Sequence, residues 1–318
     1  GDFLLTFSLY RLEVCNGIFG KFLSLENSKM CNRVEMVCRT DKGLVRERNE
    51  DFLGIDNSSG IVVLADGMGG YEGGDVASEL AVRTIMNELA HPLKTLCRDK
   101  PHTNHRYHSA TMLLEQAVLK ANQIIHEMAV TKTRLQNMGT TVVAVLFHNN
   151  FISIAHVGDS RLYRFRGDKL RRITKDHSLL EELDLEPEQA RCFPNKNYIT
   201  RALGIDKQVN VEIQEDNILP QDIYLLCSDG LTNMLDDRDM QNILSNTHRL
   251  DQAAKSLIEA ANTQGGKDNI SVILVRPLPK GSKSYKNFSL QQIFRNVHKR
   301  ISSFMYNNPL FPPLKTET

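Results

Sequence analysis

The stretch 61–70, IVVLADGMGG, constrains the fold of this chain most strongly. Its first half is a short apolar run rich in β-branched residues, which predicts a buried strand. We expect the strand to stop at Asp66 and to present a carboxylate at the end of a sheet. The glycines that follow allow a sharp turn and bring carbonyl oxygens close to a ligand. Such oxygens bind hard divalent cations, although an Asp that merely caps the next helix gives the same pattern.

The composition is that of a globular protein with no general attraction to nucleic acid. The chain has 318 residues, 41% hydrophobic and 24% charged, and a formal net charge of +1. A charge so close to zero creates no field that favours nucleic acid or acidic substrates. The six cysteines form no CxxC pair, and no apolar run has the length of a bilayer span. We therefore expect a monomeric, cytoplasmic protein with reduced thiols.

Three segments are predicted along the chain. Residues 1–33 form an N-terminal appendage, 34–277 the catalytic domain, and 278–318 a basic amphipathic tail. In the tail, Ser289 and Gln292 make a capping box, and apolar residues recur at helical spacing after it. We expect this helix to dock on the catalytic domain; contact with a membrane surface or a partner protein is the alternative.

Periodicity predicts a mixture of helices and antiparallel strands within the central segment. The expected helices span 72–89, 109–130, 236–245 and 251–264. The expected strands lie within 34–56 on either side of a turn, and then at 61–66, 140–148, 151–157, 161–166, 169–173, 222–229 and 270–276. The four strands between 140 and 173 have the pattern of one antiparallel meander. Residues 176–197 are polar and partly helical, which is typical of an inserted flap.

Acidic residues recur at the predicted strand ends and turns, and three of them stand next to glycine. They are Asp51, Asp66, Asp159, Asp229 and Asp268. Carboxylates gathered at sheet ends without histidine or thiolate partners suit Mg²⁺ or Mn²⁺ better than Zn²⁺. Two such ions bridged by water can generate a hydroxide and clamp a phosphoryl group, which Arg46 can bind through its planar fork. The alternative is that each Asp is an ordinary turn or cap residue.

Taken together, these motifs resemble the metal-dependent protein phosphatase family, the type 2C serine/threonine phosphatases. The matching pieces are Arg46 with Asn49-Glu50-Asp51, then 66–70, 139–141, 158–161, 200–204, 228–231 and 267–269. They span about 34–277, and their order and spacing are far more specific than any single match. The Met-Gly-Gly after Asp66, and 175–178 together with Thr200-Arg201, are similar to the bacterial branch of the family.

The resemblance implies an α+β fold: a four-layer α-β-β-α sandwich of two antiparallel sheets flanked by helices, with a small flap insertion at about 176–197. The implied ligands of two bridged Mg²⁺ or Mn²⁺ ions are the carboxylates of Asp51, Asp66, Asp229 and Asp268 and the carbonyl of Gly67. Asp159 matches a ligand of a weaker third ion. Arg46 matches the arginine that grips the substrate's phosphate.

The implied function is metal-dependent hydrolysis of phosphoserine and phosphothreonine on proteins, opposing a serine/threonine kinase. A bridging hydroxide attacks phosphorus in line, and Arg46, Asp66 and Asp229 are the expected catalytic residues. Met68 and Tyr71 stand where branches of the family carry histidine, so the group that protonates the leaving group is not assigned. Asn233 replaces an acid of the third site. A pseudophosphatase binding module of the same fold and a small-molecule phosphohydrolase are the alternatives.

Overall fold

The computed structural model describes residues 30–69, 73–95, 106–148, 150–183 and 198–279. The chain divides into two units at Lys280, and every described residue lies in the first unit. The predicted tail helix and most of the predicted N-terminal appendage therefore lie outside the described residues. No helix among the described residues combines the length and the apolar character that a membrane crossing requires.

The strands of the described residues form two antiparallel sheets. In spatial order, the first sheet contains β1 (Met30–Asp41), β11 (Ile270–Pro279), β10 (Ile223–Cys227), β7 (Arg161–Arg166) and β8 (Lys169–Arg172). The second contains β2 (Asp51–Asp56), β3 (Ile61–Met68), β5 (Val142–His148), β6 (Phe151–Val157) and β9 (Glu212–Asn217). The short strand β4 (Gly139–Thr140) also pairs with β3.

Helices cover the outer faces of both sheets. In chain order, the α-helices of the described residues are α1 (Gly74–Ala90), α2 (Pro92–Thr95), α3 (Ser109–Thr131), α4 (Leu179–Glu182), α5 (Asp229–Thr232), α6 (Asp237–Asn246) and α7 (Leu250–Thr263). Apolar residues of α1 and α3 share one core cluster with the second sheet. Those of α6 and α7 share another with the first sheet.

A third cluster of buried apolar residues fills the space between the two sheets. Strand β3 shows how one strand serves two cores. Val62 and Leu64 point into the layer between the sheets, while Ile61, Val63 and Ala65 point toward the helices. Successive side chains of a strand alternate between faces, so an unbroken apolar run is what a strand buried on both sides requires. The predicted four-layer α-β-β-α sandwich is confirmed.

The expected single meander over 140–173 is wrong. Strands β5 and β6 form a hairpin in the second sheet, whereas β7 and β8 form a hairpin in the first. The chain crosses between the sheets at 158–160, where Gly158 has a left-handed φ of 105°. Only glycine adopts such a φ readily, so this residue lets the chain leave one sheet and enter the other.

Two further strands differ from expectation. Strand β3 does not stop at Asp66, because Gly67 and Met68 continue it by pairing with β4; the turn follows at Gly69, with φ of 131°. Strand β9 was not predicted. Its sequence, EIQEDN, carries one apolar residue, and it pairs with β6 at the edge of its sheet. An edge strand with a partly solvent-exposed face lacks the hydrophobic pattern from which strands are predicted.

Candidate functional site

The ends of both sheets bring the predicted acidic residues to one place. Asp51 is the first residue of β2 and is the register partner of Asp66 on β3. Asp229 follows β10 as the first residue of α5, and Asp268 precedes β11, the neighbour of β10 in the other sheet. The hydroxyl of Ser228 spans the two sheets, donating to Asp51 Oδ2 at 2.9 Å. The site therefore lies where the two sheets meet.

Burial and mutual repulsion disfavour the charged form of these carboxylates. Asp51 is 7% exposed, and burial together with the charge of Asp229 raises its pKa to about 7. Desolvation, followed by the charges of Asp51 and Asp229, raises the pKa of Asp66 well above its ordinary value. The pKa of Asp229 is also raised, first by burial and then by the charge of Asp268. A bound cation would therefore stabilise the charged form of this cluster, which we call the acidic cavity.

Asp159 joins this cavity from the crossing between β6 and β7. It is 9% exposed, and burial followed by the charge of Asp229 raises its pKa to about 7. Among the described residues, neither Asp159 Oδ1 nor Asp51 Oδ1 has a hydrogen-bond partner, although both atoms are buried. Buried carboxylate oxygens are almost always paired or bound to a metal. The donor set and its unpartnered oxygens thus fit hard divalent cations.

Arg46 lies at the rim of the cavity. Its guanidinium is about half exposed and donates from Nη2 to Asp268 Oδ2 at 2.7 Å. This hydrogen bond and the charge of Asp268 raise the pKa of Arg46, so the group is cationic at every working pH. An exposed guanidinium beside the acidic cavity is placed to bind a phosphate through its planar fork.

Asn269 holds the loop that carries Arg46, a role that the sequence did not predict. Its Nδ2 donates to the carbonyls of Lys42 at 2.9 Å and Arg48 at 2.8 Å. Its Oδ1 accepts from the backbone N–H of Glu50 at 2.8 Å. Asn269 belongs to the Lys-Asp-Asn motif at 267–269, and this membership is the feature of the sequence from which a role in the site could have been predicted.

Thr141 connects two of the acids and was likewise not predicted to have a role. The backbone N–H of Asp66 donates to Thr141 Oγ1 at 3.2 Å, and the same oxygen lies 2.7 Å from Ser160 Oγ. Ser160 directly follows Asp159, so one hydroxyl links the strand of Asp66 to the turn of Asp159. The Gly-Thr-Thr motif at 139–141 is the feature of the sequence from which a role for Thr141 could have been predicted.

Two glycines of the site are required by close backbone approach. A Cβ on Gly67 would lie 2.0 Å from the carbonyl oxygen of Gly74, and one on Gly230 would lie 2.1 Å from that of Asn269. Any larger residue would push apart the segments that carry Asp66, Asp229 and Asp268. The carbonyl ligand role of Gly67 stays a prediction.

The three departures from the family pattern have different outcomes. Met68 pairs with Gly139 across β3 and β4, and its side chain has no group that can act as an acid. Asn233 donates from Nδ2 to Asp229 Oδ2 at 3.1 Å, so this amide supports a carboxylate of the cavity instead of adding a charge to it. Tyr71 lies outside the described residues.

Comparison with known proteins identifies the family. Residues 45–274 match the family model described as Protein phosphatase 2C. The chain belongs to this family. The sequence-based identification is therefore confirmed, and the type 2C family accounts for both the sandwich and the acidic cavity.

Relatives and solved structures agree with this membership. The serine/threonine phosphatase stp of Listeria innocua is 38% identical over 244 residues, which cover 74% of this chain and 93% of that protein. The structure of the Mycobacterium tuberculosis serine/threonine phosphatase PstP/Ppp is similar with a TM-score of 0.66 and 34% identity, covering 76% of this chain and 98% of the other. A structure of the PstP catalytic domain in complex with two manganese ions has a TM-score of 0.64, 33% identity and coverage of 76% and 97%.

Proposed function

We propose that this chain is a metal-dependent serine/threonine protein phosphatase that hydrolyses phosphoserine and phosphothreonine on proteins. The observation that carries the proposal is the cavity itself: five aspartates converge, two buried carboxylate oxygens have no partner among the described residues, and an exposed guanidinium stands at the rim. The named activities of the type 2C relatives support the same function.

The cations of this enzyme would be held by the acids at the meeting point of the sheets. We assign Asp51, Asp66, Asp229 and Asp268 to two Mg²⁺ or Mn²⁺ ions, and Asp159 to a weaker third. When bound, such ions lower the pKa of a water and stabilise charge on the transferring phosphoryl group. The PstP complex with two manganese ions supports this count. Burial first, and then the charges of neighbouring carboxylates, raise the pKa values of Asp51, Asp66 and Asp159, and a bound cation would favour their charged forms.

Arg46 would orient the substrate. Its guanidinium offers parallel N–H donors that match two phosphate oxygens, and Asn269 fixes the backbone of its loop at Lys42, Arg48 and Glu50. A phosphate held in this way directs its phosphorus toward the acidic cavity. A nucleophile in the cavity would then meet the phosphorus in the orientation that the reaction needs. The contact with Asp268 holds the guanidinium at the site before substrate arrives.

The polar support of the acids has the character of a site organised in advance. Ser228 spans the sheets to Asp51, and Thr141 joins the backbone of Asp66 to the turn of Asp159. Each support is a hydrogen bond between different segments of the chain, with lengths from 2.7 to 3.2 Å. Prearranged donors of this kind avoid reorganisation during the reaction.

We further propose a cytoplasmic monomer that acts on the products of a serine/threonine kinase. The pseudophosphatase alternative is disfavoured because none of the four acids assigned to the two principal ions is replaced. A small-molecule phosphohydrolase would use the same cavity, so substrate preference must separate the two.

The direct test is turnover of phosphopeptides by the full chain with Mn²⁺ and with EDTA. We expect hydrolysis of phosphothreonine and phosphoserine peptides that EDTA abolishes, and slow hydrolysis of a phosphotyrosine peptide. Asp229→Ala should lower kcat by about a thousandfold, because removing one carboxylate displaces the cations and the water together. The matched control is Asp206→Ala at an exposed aspartate outside the cavity. Undiminished turnover in EDTA, or an Asp229→Ala variant as fast as its parent, would overturn the proposal.

A further inference from the structure

Two histidines and a glutamate lie beside the turn that carries Asp159. His156 is on β6, its register partner Glu212 is on β9, and His177 follows β8. One ligand atom from each of the three side chains lies within 4.8 Å of the others. The rings of His156 and His177 are buried and stack with their centroids 4.7 Å apart and 15° between their planes.

The hydrogen bonds of His177 argue against a metal ion in this cluster. The backbone N–H of Gly158 donates to His177 Nδ1 at 3.1 Å, so Nδ1 must present a lone pair. Burial lowers the pKa of His177, which keeps the ring neutral with its proton on Nε2. That nitrogen lies 3.2 Å from Glu212 Oε2 and donates to it. Because a metal would need a second lone pair on the same ring, the cluster is built for hydrogen bonding.

His177 makes hydrogen bonds to both the backbone N–H and the backbone carbonyl of Gly158. Besides the bond to Nδ1, the backbone N–H of His177 donates to the carbonyl of Gly158 at 2.9 Å. The preceding residue, Asp176, is buried and binds Arg161 through both carboxylate oxygens, with Arg161 Nη2 at 2.6 Å from Oδ2. The segment 176–177 thus holds the turn on either side of Asp159.

The position of Asp159 depends on the peptide that precedes it. Gly158 has a φ of 105°. Because glycine has no Cβ, it can also adopt other φ values at little energetic cost. If His177 Nδ1 were absent, the buried N–H of Gly158 would lose its acceptor, and a buried unpaired donor drives the backbone to rearrange. Rotation at Gly158 moves the carboxylate of Asp159, because the two residues share a peptide bond.

We propose that His177 is a positioning residue that fixes the Gly158–Asp159 peptide, with Glu212 holding its tautomer, and thereby places the Asp159 carboxylate for the weaker third cation. This inference rests on the proposed function. It assigns to His177 an effect on one cation only, because Asp51, Asp66, Asp229 and Asp268 are carried by other segments of the chain.

Calorimetric titration of the metal-free full chain with Mn²⁺ tests the proposal without reference to turnover. Asp159→Asn identifies the weak binding step. We expect His177→Ala to weaken that step by about tenfold or more, the usual cost of losing a residue that orients a ligand, and to leave the tighter steps unchanged. In His177→Asn the side-chain Oδ1 takes the place of Nδ1 as acceptor, so the weak step should return to nearly the wild-type affinity.

Two further variants separate positioning from packing. His156→Gln removes the stacked neighbour but leaves the bonds between His177 and Gly158, so Mn²⁺ binding should stay as in the wild type. Glu212 is partly exposed on an edge strand, and Glu212→Ala therefore provides a folded variant even if His177→Ala does not fold. We expect Glu212→Ala to weaken the same step and Glu212→Gln, which still accepts from Nε2, to restore it.

Several results would overturn the proposal. His177→Asn should not bind the weak Mn²⁺ ion as poorly as His177→Ala, and His156→Gln should not lose as much affinity as His177→Ala; either result would overturn the proposal. Glu212→Ala with the Mn²⁺ affinities of the wild type would also overturn it. So would an Asp159→Asn variant whose Mn²⁺ binding steps are all the same as those of the wild type. Failure of the proposed function looks different: the wild type would bind Mn²⁺ with the expected dependence on His177 but would not hydrolyse a phosphothreonine peptide.

Discussion

Replacing Asp51 with Asn should make the stability of the metal-free protein less sensitive to pH. Asp51 is buried, and its Oδ2 accepts from Ser228 while its Oδ1 has no partner among the described residues. Burial and the charge of Asp229 raise its pKa to about 7. Asn has the same shape, can accept from Ser228 through its own Oδ1, and carries no charge at any pH.

The sign and size of the effect follow from linkage. Asp51 releases its proton near pH 3.8 in the unfolded chain and near pH 7 in the folded chain. Between these values the folded state binds more protons, so stability is fully present below pH 3.8 and is lost as pH rises through about 7. From pH 5 to pH 7.5 this one group should lower the free energy of unfolding by about 3 kcal/mol. Any cost of burying the Asn amide is equal at both pH values and cancels.

The assay is urea unfolding of the wild type and Asp51→Asn in EDTA at pH 5 and pH 7.5. The wild type should lose about 3 kcal/mol more than the variant between the two conditions. Asp206→Asn, at an exposed position, is the matched control and should follow the wild type. Adding Mn²⁺ at a hundred times its Kd should restore about 2.7 kcal/mol to the wild type at pH 7.5, and much less to the variant.

Parallel pH dependences in the wild type and Asp51→Asn would refute this reasoning. They would mean that Asp51 is already ionised at pH 5 in the folded chain and that burial does not disfavour its charge. Equal stabilisation of both proteins by Mn²⁺ would show separately that Asp51 contributes nothing to cation binding.

Three other changes test the site and its surroundings. Arg46→Ala should raise the KM for a phosphothreonine peptide by about tenfold or more and lower kcat less, since it removes a charge-assisted grip on phosphate; steady-state kinetics measures both. Replacing Glu181 and Glu182 by Ala should alter the ranking of phosphopeptides more than the rate on a small aryl phosphate, because Glu182 lies in the predicted flap and accepts a hydrogen bond from Thr200 just after it. Equal losses on both substrate types would count against this. Deleting 281–318 should leave phosphopeptide turnover largely intact, and a folded truncation with no activity would contradict that.

The layers of the fold could be predicted from the sequence, but the points at which the chain passes from one sheet to the other could not. The unbroken apolar run before Asp66 indicates a strand buried on both faces, and the structure places this strand between helices on one side and the first sheet on the other. The connection between β5 and β6 and the crossing at 158–160 are both short, yet the first joins the strands of a hairpin and the second changes sheets. The crossing contains the left-handed φ of Gly158, and the presence of glycine in a sequence does not by itself predict a left-handed φ.

The acids of the site could be proposed because each stands at a turn or strand end within a short motif. Their supports could not, because a hydrogen bond between distant segments leaves no local pattern. Ser228 and Asp51 are 177 residues apart, and Asn269 binds a loop more than 200 residues away. His177 belongs to a motif that was noted only as a mark of the bacterial branch. Its contact with Gly158 becomes visible once β6 and the segment after β8 are brought together.

The most direct test of the central claim is to locate the cations. Crystals of the full chain grown with Mn²⁺ and measured at the manganese absorption edge give anomalous difference density at each bound ion. We predict two strong peaks among the carboxylates of Asp51, Asp66, Asp229 and Asp268, with a weaker peak beside Asp159. Density elsewhere, or none in this cavity from a preparation that hydrolyses phosphothreonine peptides, would contradict the account.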